Sequence, residues 1–261
     1  MTRLIRAEVR KLLTTRMLLG LTLGGIVLVA FYVVVIVFTA GNNQAGTNAL
    51  RSLSDPGSLR AVYGVPFEIG YLMPLIMGVI LISGEFRHKT ITPTLLVAPR
   101  RSRVLTAKAV VAAGTGLAMG LVYTAIAAAL GAVLIAARGY PVHIGSYGIP
   151  RMLVLMVLGL AVWAVFGLGF GALLKNQTAA VLAALAIVTI VEGLLELFLR
   201  WAHLGWAAKV LPSAASSAMV QASNVKAANI LPWWGGALTL LAWGVLMVVL
   251  GAVFTMRRDV T

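Results

Sequence analysis

Residues 83–108 read SGEFRHKTITPTLLVAPRRSRVLTAK, a polar and strongly basic interruption between two long apolar runs. Glu85, Arg87, His88 and Lys89 cluster where the preceding run ends. Thr90 or Thr92 can cap a short helix with Pro93 in its first turn, and Ile91, Leu95 and Leu96 would share one face of it. Pro99 disfavours helix at Ala98 and ends the element, after which Arg100, Arg101, Arg103 and Lys108 lead back into apolar sequence. The pattern predicts a short amphipathic helix at a membrane surface, held between two spans.

The rest of the chain supplies the membrane. Hydrophobic residues make up 61% of the 261 and charged ones 11%, outside the range of soluble globular domains. Apolar runs over about 17–40, 62–83, 104–137, 152–174, 178–199 and 235–256 are each long enough to cross a hydrocarbon core of about 30 Å. Pro74 lies inside the second run and predicts a kink there. Lys175, Asn176 and Gln177 make a tight turn that sets the fourth and fifth spans antiparallel. The expected fold is all-α and polytopic, with six transmembrane helices in one domain over residues 1–261.

Basic residues fix the expected orientation. The N-terminal segment, the central loop, the turn at Lys175 and the C-terminus carry 14 of the 21, and the three opposite loops the other 7. By the positive-inside rule the first set is cytoplasmic, with both termini. The net charge of +14 is thereby explained by lipid and orientation, and nucleic acid is not an expected partner. Within residues 1–16, MTRLIRAEVRKLLTTR, the residues Ile5, Val9, Leu12 and Leu13 recur at helical spacing, with Arg3, Arg6, Arg10 and Lys11 as membrane-surface bases. Bases recurring over four turns describe an interfacial helix rather than a secretory signal. Arg100, Arg101 and Arg103 have the same surface role in the central loop. The dominance of Arg over Lys and of Ala, Gly, Val and Leu among apolar positions points to a GC-rich bacterial source.

Chemistry of other kinds is poorly represented. There is no Cys, no Walker A sequence, no Gly-x-Ser-x-Gly elbow, and no metal-ligand spacing among His88, His143 and His203. Glu192 and Glu196 share a helix face near the outer end of the fifth span, where water or Arg200 would meet them. Residues 200–232 are half apolar and half polar, as in re-entrant or interfacial helices. Gly20 with Gly24, Gly116 with Gly120, and Gly167 with Gly171 have the spacing of close helix contacts.

The order of Glu85, Arg87, Thr90, Leu95, Leu96, Pro99, Arg103 and Lys108 resembles the cytoplasmic loop of type-2 ATP-binding-cassette (ABC) exporter permeases. One departure is Lys89, where that family commonly has Gly before the Thr. The resemblance implies that the loop holds a coupling helix docked on a separate ABC ATPase subunit, which would bind the ATP and Mg; this chain would bind no cofactor. Glu85, Arg87, His88, Lys89, Thr90, Ile91, Thr92, Leu95 and Leu96 would then form the ATPase-coupling region. It also implies a second permease subunit, identical or related, and short outer-leaflet helices between the fifth and sixth spans. The expected function is the membrane subunit of an ATP-driven exporter of a hydrophobic or amphiphilic substrate in a bacterial plasma membrane. The competing expectations are an ion-coupled carrier and a membrane-embedded enzyme using Glu192, Glu196, Arg200 and His203.

Overall fold

The computed structural model describes residues 1–41, 52–88, 101–174, 176–221 and 231–257, with backbone alone at 101 and 254–257. The protein is an all-α polytopic membrane protein, and six of its described helical segments are long and apolar enough to cross a membrane. In chain order the helices are α1 (Thr2–Thr14), α2 (Arg16–Thr39), α3 (Pro56–Glu68), α4 (Leu72–Arg87), α5 (Arg101–Ala137) and α6 (Ile149–Leu173). They continue as α7 (Gln177–Ala186), α8 (Glu192–Trp201), α9 (Gly205–Ala208), α10 (Pro212–Val220) and α11 (Trp233–Arg257). A π turn, Ile187–Val191, joins α7 to α8, so these form one span. The expected coupling helix at Thr90–Thr92, Leu95 and Leu96 lies outside the described residues.

Apolar length sets the spans. The 24 residues of α2 rise about 36 Å, enough for the hydrocarbon core. At 37 residues, α5 is about 55 Å long and must extend past the core or tilt. The second span departs furthest from expectation. The second span starts at Pro56 rather than near residue 62, because Asp55 caps α3 by accepting the Gly57 N–H at 2.8 Å, with Pro56 in the first turn. The interruption of that span falls at residues 69–71, just before Pro74. Pro74 has no N–H to bond the carbonyl four residues back, so the helix restarts with the proline in the first turn of α4.

The bundle is built around α6. Of its most apolar stretch 67% is buried, against 17% for the span formed by α7 and α8. Small residues let its neighbours approach. A Cβ on Gly78 of α4 would collide with the Ala164 carbonyl oxygen, and one on Gly167 with that of Leu75. Gly116 and Gly120 of α5 pack directly on α6, at Ala161 and Val157, and Gly171 on Val79. Two of the three Gly-x-x-x-Gly pairs are therefore contacts within the subunit, whereas Gly20 and Gly24 face open space.

The end of the bundle remote from α1 is tied together by polar contacts. Arg138 donates to the Val37 and Ala40 carbonyls at 2.5 and 3.3 Å, supplying a cation and donors at the C-terminus of α2. Arg60 donates to the Tyr147 carbonyl, and Tyr63 Oη–H to that of Val142 at 3.0 Å. Residues 200–232, too polar for a span, form the short helices α9 and α10 as far as they are described. α10 packs against α11 and α6. Its anchor is Trp163 of α6, whose indole N–H donates to Ser216 Oγ at 3.0 Å while its ring lies 4.7 Å from that of Tyr71.

Candidate functional site

The N-terminal helix places an acid among bases. In α1, Glu8 is buried with Leu12 on the inner side, while Arg3, Arg6 and Arg10 are exposed. Val9 and Leu13, expected on the same side as Leu12, are also exposed, at 39% and 70%. The buried stripe thus runs through Ile5, Glu8 and Leu12, at spacings of three and four. It crosses the ends of α4 and α5, the two helices that lead into and out of residues 89–100.

At that crossing four charged side chains meet. Lys108 of α5 is 1% exposed, and its Nζ lies 2.7 Å from Glu8 Oε2 and 2.9 Å from Glu85 Oε1 of α4. It also donates to the Leu81 carbonyl at 3.2 Å, so all three ammonium donors have acceptors. Lys11 of α1, half exposed, closes the group by donating to Glu85 Oε1 at 2.7 Å. Two lysines balance two carboxylates, which is the condition for keeping such groups out of water. Among the described residues Glu85 Oε2 has no hydrogen-bond partner.

This arrangement changes the expected roles of several residues. Glu85, expected in the ATPase-coupling region, is 1% exposed and turned inward beneath α1, where it pairs with Lys108 and Lys11. Lys11, expected at the membrane surface, is half exposed and also pairs with Glu85. Arg87 ends α4 and is exposed, as are His88 and Arg103. Lys89, Thr90, Ile91, Thr92, Leu95, Leu96 and Arg100 lie outside the described residues, as does the side chain of Arg101. Sequence reasoning passed over Glu8 and used Lys108 only as a flanking base. The available signals were a lone acid in a basic helix and a lysine already inside an apolar run.

The outer-face acids do not form one site. Glu196 pairs with Arg200 at 2.6 Å on an exposed surface, as the i, i+4 spacing suggests. Glu192 departs from the expectation that it meets water or Arg200. It is 5% exposed, and its Oε2 accepts the Ser213 N–H at 2.8 Å in the first turn of α10. A carboxylate there supplies a partner for a helix N-terminus that no capping side chain satisfies. His203 is exposed on a separate turn, and no set of three or more His, Cys, Asp or Glu residues suited to a metal occurs among the described residues. Replacing Glu192 with Leu should leave that half-buried N–H unpaired, costing about 1 kcal/mol or somewhat more. Hydrogen exchange across Pro212–Val220 is then expected to speed about tenfold or more, whereas Glu192→Gln, which keeps an acceptor oxygen, should exchange as wild type does.

No protein-family model matches this chain, and no curated protein matches it either.

Proposed function

We propose that the chain is the permease subunit of an ATP-driven exporter of the type-2 ABC class, working with a separate ATPase subunit and a second permease subunit. The observation that carries this reading is the buried cluster of Glu8, Lys11, Glu85 and Lys108. It fastens the N-terminal helix to both helices that flank the basic central loop. A force applied to residues 89–100 would reach α4, α5 and α1 as one body rather than dissipate in a slack connection. α4 packs along α6, whose small residues permit the close approach, so displacement of α4 is felt at the centre of the bundle. The chain has no Walker A sequence, so a P-loop source of ATP energy would have to act from outside it.

On this reading the α1 end is cytoplasmic in a bacterial plasma membrane, and the far end, with α9 and α10, closes the outer side of the pathway. The substrate class consistent with such apolar spans is hydrophobic or amphiphilic. The carrier and enzyme alternatives are less favoured, since Glu196 and Arg200 pair with each other at the surface while Glu192 is committed to α10.

The orientation can be tested directly, because the chain has no Cys. Ser102→Cys and Ser146→Cys both place a thiol at an exposed position, the first at the start of α5 and the second in the loop that follows its other end. A membrane-impermeant maleimide applied to intact cells is expected to label the residue-146 variant alone. Labelling of the residue-102 variant from outside would remove the central loop from the compartment that holds ATP and end the exporter reading.

A further inference from the structure

Beside the charge cluster, between the C-terminal half of α1, the start of α2 and the last turns of α4, lies an open cleft of about 590 Å³. Its rim carries Arg16, the first residue of α2, and Arg87, the last of α4. Neither arginine has an acidic partner among the described residues, since Glu8 and Glu85 are taken by Lys108 and Lys11. Two residues that line the cleft carry acceptor atoms with the opposite need. Glu85 Oε2 and Gln177 Oε1 are buried and have no donor among the described residues. The remaining wall is apolar, including Leu12, Met17 and Ile80.

We propose that this cleft binds an aminophospholipid, its phosphate between Arg16 and Arg87, its ammonium donating to Glu85 Oε2 and Gln177 Oε1, and its chain along Met17 and Ile80. The depth is right for a headgroup, because the cleft sits where the first span begins and the second ends. The charge pattern selects among lipids. A phosphate answers the two guanidiniums. A primary ammonium supplies both N–H donors and positive charge to the buried acceptors, which a choline head, equal in charge but without N–H, does not. Free phosphate would satisfy the arginines and leave the acceptors and the apolar wall unanswered. The exposed Leu13 and Val9 of α1 border the same leaflet and would lie against neighbouring chains.

The test is native mass spectrometry of the purified full chain, equilibrated with phosphatidylethanolamine or phosphatidylcholine of identical acyl chains. Wild type is expected to retain the ethanolamine lipid about tenfold better, the factor set by one charge-assisted hydrogen bond. The Arg16→Gln/Arg87→Gln double variant should lose retention of both lipids by a similar factor. Gln177→Leu should retain lipid but with the preference for ethanolamine reduced. These positions are exposed or partly exposed, so folding should survive, and the elution profile of each variant checks that it does. Equal retention of the two lipids by wild type would overturn the ammonium placement. Undiminished retention by a folded double variant would overturn the phosphate placement, and failure of wild type to hold either lipid would overturn the site.

Discussion

Replacing Lys108 with Met is expected to destabilise the protein by about 3–5 kcal/mol, the cost of removing one partner from a buried ion pair. The side chain is 1% exposed and serves Glu8, Glu85 and the Leu81 carbonyl together. Its loss leaves two carboxylates with only the half-exposed Lys11, which reaches Glu85 alone. Two like charges enclosed together repel each other, so α1 should detach from α4 and α5. Thermal unfolding in detergent, followed by size-exclusion fluorescence, measures the effect. Adding Glu8→Gln and Glu85→Gln to the Lys108→Met variant removes the orphaned charges and should recover much of the lost stability. That recovery separates an electrostatic role from simple loss of packing. A single Lys108→Met variant as stable as wild type would mean that the two acids are not held together by this lysine.

The second large effect is expected at the contact between α4 and α6. Gly78→Leu places a side chain where even a Cβ would overlap the Ala164 carbonyl oxygen and crowd the Leu168 amide. Backbone cannot rotate aside as the end of a side chain can, so the helices must separate. Overpacking of this kind costs about 1–3 kcal/mol in soluble cores and more when backbone is the obstacle. In a membrane the contact depends on close packing and has no hydrophobic drive to restore it. The expected result is a variant that inserts but gives little monodisperse protein in mild detergent. Gly20→Ala is the matched control. Nothing lies within 4 Å of a Cβ there, and the fold should be unaffected. A normal yield and melting temperature for Gly78→Leu would contradict the arrangement of α4 on α6.

The spans were legible because each apolar run exceeds what a soluble helix needs, and composition alone excludes a water-filled surround. Their ends were less so. Asp55-Pro56-Gly57 has the composition of a turn, yet an acid followed by proline is also a cap with its first helical residue, and only the apolar partners beyond it favour the helix. Pro74 correctly marked the second span as interrupted, although the break precedes it by one turn. The charge cluster was largely illegible. Glu8 and Lys108 stand 100 positions apart, and sequence spacing carries no information about contacts across that separation. Glu85 stands out as part of a charged run, but burial cannot be read from such a run, and the residue faces inward onto Lys108 and Lys11. Glu192 shows the same limit. Its spacing to Glu196 is that of a helix face, whereas its environment is set by Ser213, which follows an intervening turn and a short helix.

The most direct test of the account is purification of the tagged chain in mild detergent from its native cells, with subunit masses and ATP hydrolysis measured on the eluate. A variant carrying Leu95→Asp and Leu96→Asp is carried in parallel. An ATP-hydrolysing subunit is expected to accompany the wild-type chain and to be lost from the variant, while both chains insert and elute alike. A well-folded wild-type chain that brings down no ATPase, or a variant that keeps it undiminished, would contradict the coupling role of the central loop.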